Sequence, residues 1–427
     1  VTAGSTAVLA HGLGGSTDLP IPYTYALIGA AWTLTFTFAV VALAWRRPRF
    51  DPAKPGHALP SWVTTVVDSR ATRWTVGLLS LALTGWVAFT AFTRPPATNP
   101  LPGVFYVLLW VGLVAASVLF GPVWRLISPV RTLSRFLPLG ERRYPERLGY
   151  WPAAAGLFAF VWLELASPDP GSIAAIRNWL LIYLAVTFAG AVGCGPRWLE
   201  SADPFEVYST VASRVSPLRR HDGRLVLGNP FDHLPSLPVR PGLVAVLAVL
   251  LGSTAFDSFS AMPQWRNFVD THADSSLGAG LIRTTGLLVF AATVAVTFWA
   301  ATRATGGVDR RLRRELPGLM AHSLIPIVIG YVFAHYLSYL VERGQQTVIM
   351  LFGLEGVEVN YFLSMHPTLL ATLKVGFVLA GHVAGVIAAH DRALRLLPKQ
   401  HQLTGQLATM LVMVGYTFTG LYLLFGG

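Results

Sequence analysis

The chain alternates between long apolar runs and short connections rich in proline or arginine. An α-helix rises about 1.5 Å per residue, so about 20 apolar residues cross the hydrocarbon of a bilayer. Ten runs read this way: 23–45, 74–92, 103–120, 151–165, 173–193, 241–256, 281–301, 316–340, 370–389 and 407–424. The connection Thr93-Arg-Pro-Pro-Ala-Thr-Asn-Pro-Leu-Pro102 cannot be helical and reads as a turn. Residues 61–69, with Trp62, Val66 and Val67, read as a short interfacial helix. The pattern predicts an all-α, polytopic membrane bundle. Residues 1–22 are expected to form an exported N-terminal segment and 23–427 a single transmembrane domain.

Composition points the same way. Hydrophobic residues make up 53% of the chain, charged residues only 12%, and the mean hydropathy is +0.54, against about 25% charged in soluble domains. A soluble multidomain protein is thereby excluded. The single cysteine, Cys194, excludes an intramolecular disulfide and a cysteine-based metal cluster.

The net charge of +11 would favour nucleic acid if it lay on one soluble face. It does not. Of the 32 Lys and Arg residues, all but Arg94, Arg177, Arg266, Arg283, Arg343 and Lys374 lie in loops 46–73, 121–150, 196–240, 302–315 and 391–405. Such alternation marks those loops as cytoplasmic and places both termini outside. The expected partners are the lipid bilayer and its anionic headgroups at the cytoplasmic face, with no nucleic acid. Val1–Ala10 is similar to the tail of a secretory signal with a small-residue cleavage site, without a basic n-region. Cleavage after Ala10 would leave His11 with a free amine beside its imidazole, a copper chelate.

An internal repeat runs in parallel over 103–165 and 173–256. Gly121-Pro122-Val123-Trp124 is echoed by Gly195-Pro196-Arg197-Trp198. Each leads to a proline, Pro129 or Pro204, that opens a short amphipathic stretch. The stretches end alike, in Ser134-Arg135-x-x-Pro138-Leu139 and Ser213-Arg214-x-x-Pro217-Leu218. Val130, Leu133 and Leu137 share one face, as do Phe205, Tyr208, Ala212 and Val215, so both stretches are expected to lie on the inner membrane surface. Parallel repeats occur in transporters.

Ionisable groups within spans are costly and mark function. His335 lies about 7 Å from the outer end of its span and His382 about 18 Å, while His322 and His390 lie about 27 and about 30 Å deep. A b-type haem needs two imidazoles at one depth on different helices; only His322 and His390 match. His322 and His335 share a helix but point about 140° apart. The outer loops carry Asp257, His272, Glu342, Glu355, Glu358 and His366, and His11 precedes the first span. His335 with His11 and His366, supported by Asp257 and His272, forms a candidate zinc or copper site with room for a reactive water. The plain alternative is that His335 hydrogen-bonds a neighbouring helix while the loop histidines are solvated. His382, in Gly381-His382-Val383-Ala384-Gly385, sits where small residues permit close helix packing.

Several segments carry a family resemblance: Ala10-His11-Gly12 with Asp18-Leu19-Pro20, Arg147-Leu148-Gly149-Tyr150-Trp151-Pro152, Phe256-Asp257, Ala334-His335-Tyr336-Leu337-Ser338-Tyr339, Gly381-His382-Val383-Ala384 and Ala389-His390-Asp391-Arg392. In these the chain resembles a bacterial family of polytopic membrane proteins, common in actinobacteria, some of whose members carry the label fenitrothion hydrolase. The glycine that commonly follows Phe-Asp in that family is Ser258 here. The resemblance implies a multi-pass protein of the bacterial plasma membrane in which activated water attacks an organophosphate ester. It makes His11, Asp257 and His335 the first candidates, Asp257 and His335 as catalytic groups. The expected function is therefore a metal-dependent membrane hydrolase, or the membrane subunit of one. A transporter or permease is the alternative, and a haem-bearing subunit a third reading.

Overall fold

The structure is a computed structural model and describes residues 18–136, 140 and 142–425. It is an all-α helical bundle. Among the described residues ten helices are long and apolar enough to cross a membrane: Tyr23–Ala44, Arg70–Thr93, Leu101–Phe120, Glu146–Leu165, Ile173–Cys194, Leu243–Ser260, Ser276–Arg303, Arg310–Phe352, Pro367–Leu396 and Thr404–Phe425. They are spans one to ten in chain order. Polar starts explain where several begin: Ser69, Ser172, Ser275 and Asp309 each accept a backbone N–H of the first helical turn. The eighth span is much longer than its apolar run. An arginine-rich turn precedes the run, and a π-helical stretch, Tyr339–Arg343, carries the helix beyond it.

The arginine-rich loops meet at one end of the bundle. Strand β1 (His57–Ala58), from the first loop, pairs antiparallel with β3 (Arg224–Leu227), which also pairs with β2 (Leu218–His221). Arg220 donates to Asp68 at 2.6 Å. The Asp391 carboxylate accepts the Arg49 and Phe50 amides, and Thr305 donates to the Gly405 carbonyl at 3.1 Å. The Tyr150 amide donates to Pro241 at 2.6 Å, tying in loop 121–150. Connections 93–102, 261–275 and 353–366 lie at the other end, where the Arg94 guanidinium bonds the Met350 carbonyl. Loops of alternate parity thus occupy opposite ends.

The repeated segments share backbone geometry. Spans three and five each end on a glycine in the same positive-φ conformation, Gly121 at φ 86°, ψ −161° and Gly195 at φ 68°, ψ −159°, where a side chain would be strained. A short helix follows in each, then a capping residue, Ser128 or Asp203, and a second helix opened by proline, Pro129–Ser134 or Pro204–Ala212. Ser128 accepts the Arg131 amide and Asp203 the Glu206 amide, each three residues on. The expected placement on the membrane surface is not what is found for the second helix. Every residue of Pro204–Ala212 is buried: the Tyr208 ring lies 4.7 Å from Trp110 and Phe205 lies 5.7 Å from Phe160, centroid to centroid. Protein covers the face that was to meet water. In the first helix Val130 is buried but Leu133 points outward, 43% exposed; Leu137, Pro138 and Leu139 lie outside the described residues.

Spans eight and nine cross closely. A side-chain carbon on Gly381 would stand 2.5 Å from the Pro326 carbonyl and 3.1 Å from the Gly330 Cα. Small residues on both helices permit this approach, and it fixes the facing of His335 and His382.

Candidate functional site

Spans six and eight bring Asp257 and His335 together. Asp257 lies one turn from the end of span six, and His335 lies on the Ile325–Ser338 helix of span eight. The His335 Nε2 stands 2.9 Å from Asp257 Oδ2, and the Tyr336 hydroxyl donates to the same oxygen at 2.8 Å. On the other side of the ring, Nδ1 stands 3.0 Å from Ser258 Oγ, which lies 3.2 Å from the Tyr331 hydroxyl. His335 is 1% exposed and Asp257 6% exposed.

A carboxylate oxygen can only accept, so Nε2 carries a proton toward Asp257. A neutral ring takes the Ser258 proton on Nδ1, whereas with that proton on the Thr254 carbonyl, 3.3 Å away, the ring is an imidazolium donating to Ser258. Tyr331, His335 and Tyr336 occupy neighbouring turns of one helix, and Asp257 and Ser258 are adjacent in the facing one. The two helices therefore supply an imidazole, a carboxylate and three hydroxyls from a few positions. An aspartate holding one imidazole nitrogen while the other faces a serine is the relation of roles found in acyl-transfer triads, with the two nitrogens exchanged. Tyr339 begins the π-helical stretch, and Glu164 of span four lies within electrostatic reach of Tyr106, Tyr336 and Tyr339. π-Helical insertions are frequent at functional sites. Lys374 of span nine is fully buried.

Among the described residues, the other expected ligands, His366 and His272, are bonded within their own helices. His366 is exposed; its Nδ1 donates to the Phe362 carbonyl at 2.7 Å and its ring packs on Phe362 at 4.4 Å. His272 does the same with Phe268, at 2.8 Å and 4.4 Å. Each closes the C-terminal end of a short helix, where carbonyls lack partners. His11 lies outside the described residues. Among the described residues no three His, Cys, Asp or Glu side chains converge as a metal ion requires. The depth-matched pair at the inner rim offers haem little, since His390 is held at both nitrogens, by Gln406 at 2.9 Å and by the Trp45 carbonyl at 3.0 Å.

Ser258 and Tyr336 were not among the residues singled out as catalytic. The signal was present: Tyr331 and His335 stand four apart on one helical face, and Ser258 adjoins Asp257. A second buried acid also escaped notice. Asp203 accepts Trp124 Nε1 at 3.0 Å, the Tyr183 hydroxyl at 3.1 Å and two backbone amides. Burial, and then the neighbouring Glu206 charge, push its carboxyl up to about 7, against the pull of the bonds from Trp124, Phe205 and Glu206.

Comparison with protein-family models, with curated proteins and with solved structures gives no match for this chain.

Proposed function

We propose that this multi-pass membrane protein is a hydrolase of the bacterial plasma membrane, or the membrane subunit of one, acting on ester or organophosphate substrates. Its working groups are Asp257 and His335. The observation that carries the reading is the buried carboxylate–imidazole pair, backed by Ser258 and Tyr336 and set at the end of the bundle opposite the arginine-rich loops. The resemblance to the family with fenitrothion hydrolase labels supports the substrate class.

Water attacks phosphorus or the acyl carbon, and its proton passes to the pair. The phenolate or alkoxide leaves, and the pair returns the proton to it or to solvent. A general base of this kind contributes about 10²–10⁴-fold. Tyr336 fixes the carboxylate and Ser258 fixes the ring, so little reorganisation is needed during reaction.

The test is release of nitrophenol from a nitrophenyl phosphotriester and a nitrophenyl ester by the full chain in lipid nanodiscs. Turnover above empty nanodiscs is expected, and its absence for both substrates overturns the reading. A chelator then separates two routes. Direct catalysis by the pair keeps its rate, whereas a loss restored by zinc or copper assigns the reaction to a bound metal.

One observation bears on the transporter reading. A cavity of about 440 Å³ lies among spans six to ten, with His382 on its wall and exposed Val289 and Thr293 at its mouth.

A further inference from the structure

We propose that this cavity is a binding site for a neutral, membrane-dissolved molecule that carries a hydroxyl or N–H donor on an apolar body, such as a phenol. The proposal is independent of the hydrolase reading, because it rests on His382 and the cavity wall.

His382 is buried, and its Nδ1 stands 2.8 Å from the Val378 carbonyl. A carbonyl only accepts, so Nδ1 carries the ring proton and Nε2 presents a bare lone pair. That Nε2 has no hydrogen-bond partner. Buried polar atoms are nearly always paired, and an exception marks a place where a partner arrives.

The other polar groups on the wall do not supply that partner. Thr293 donates to Val289 and Thr297 to Thr293. The Tyr416 hydroxyl donates to Val294 at 3.1 Å and lies 2.6 Å from Thr297. The Tyr331 proton is used on Gly420 or on Ser258. Their protons already engaged, these four hydroxyls offer lone pairs and no donors, and the remaining hydroxyl, Thr419 at the exposed rim, does not bond His382 Nε2. An occupant must therefore bring its own donor.

Charge narrows the class further. Among the described residues no Asp, Glu, Lys or Arg lines the cavity, and its remaining walls are apolar, with Leu251, Val289, Phe290 and Leu423 among them. No counter-charge awaits a cation, and an anion would meet lone pairs. A neutral donor with an apolar body remains.

The probes are 1-naphthol and its ether, 1-methoxynaphthalene, which is similar in shape but lacks the donor. Binding to the full chain in nanodiscs is measured by equilibrium dialysis, with empty nanodiscs subtracted. Saturable binding of 1-naphthol at least tenfold tighter than the ether is expected. His382→Leu should bring 1-naphthol to the ether's affinity, and His382→Gln, which keeps an acceptor, should retain part of the preference. Equal affinities in the wild-type protein, as an acyl-chain slot or a water-filled cavity would give, overturn the proposal. So does His382→Leu with an unchanged preference. If His382→Leu does not fold, His382→Gln decides: loss of the preference with ether binding intact overturns the proposal.

Discussion

Arg131 and Glu206 hold corresponding places in the two repeated segments, each two residues after the proline that opens its helix, and their side chains meet. The guanidinium reaches both carboxylate oxygens, Nη2 at 2.6 and 2.7 Å and Nε at 3.2 Å. Arg125 approaches the same carboxylate at 3.4 Å. The equivalent residue carries opposite charge in the two segments, and the pair joins them.

Glu206 is fully buried, so removing it leaves a cavity and strips Arg131, itself largely buried, of its bidentate partner. Glu206→Ala is expected to destabilise by on the order of 3 kcal/mol. The exchange Arg131→Glu with Glu206→Arg should recover at least half of the loss. Thermal unfolding of the detergent-purified protein reads both effects.

Ser258 distinguishes attack by water from attack by serine. If Ser258 only holds the imidazole, Ser258→Ala lowers kcat by about tenfold and leaves the reaction running, a loss near the low end of what positioning contributes. Burst kinetics on a nitrophenyl ester check this. The proposed mechanism gives no burst in the wild-type protein, whereas a covalent serine intermediate gives one and Ser258→Ala then abolishes turnover.

Much of the architecture was legible because membrane crossing constrains sequence strongly. Span lengths follow from bilayer thickness, and arginine placement sorted the loops in the way their contacts now join them. The pairing of Asp257 with His335 was less legible. Both residues stood out, as ionisable groups at or near one membrane end, but nothing in a linear sequence says which helices are neighbours. The outer histidines carry a local signal of their own: in Phe268-x-x-x-His272 and Phe362-x-x-x-His366 the imidazole bonds a carbonyl within one helical turn. The Pro204–Ala212 helix shows the limit of amphipathic patterns: its polar Glu206 and Ser209 face Arg131 and Ser117 of the protein, not water.

His233 supplies a pH-dependent element in the arginine-rich loops. Burial first, then Arg214 and Arg219, lower its imidazole to about 3, and the Arg214 guanidinium lies 3.0 Å from its Nε2. The unfolded imidazole titrates near 6.5, so above that pH neither state binds a proton. As pH falls below it, the opened segment takes up a proton that the folded one refuses. Local stability should then fall, by up to about 1.4 kcal/mol per pH unit. Hydrogen-exchange protection factors over 218–237, corrected for the slower intrinsic exchange at low pH, should fall between pH 7 and pH 5, and His233→Gln should remove much of that dependence.

The central claim is that Asp257 and His335 act together on substrate. Its most direct test compares nitrophenyl phosphotriester hydrolysis by the wild-type protein with that by Asp257→Asn and His335→Gln, in identical nanodiscs and with unfolding temperatures measured alongside. Folded variants slowed by about 100-fold or more, with the double variant no slower than the worse single one, are the predicted result. Folded variants that hydrolyse at the wild-type rate would contradict the account.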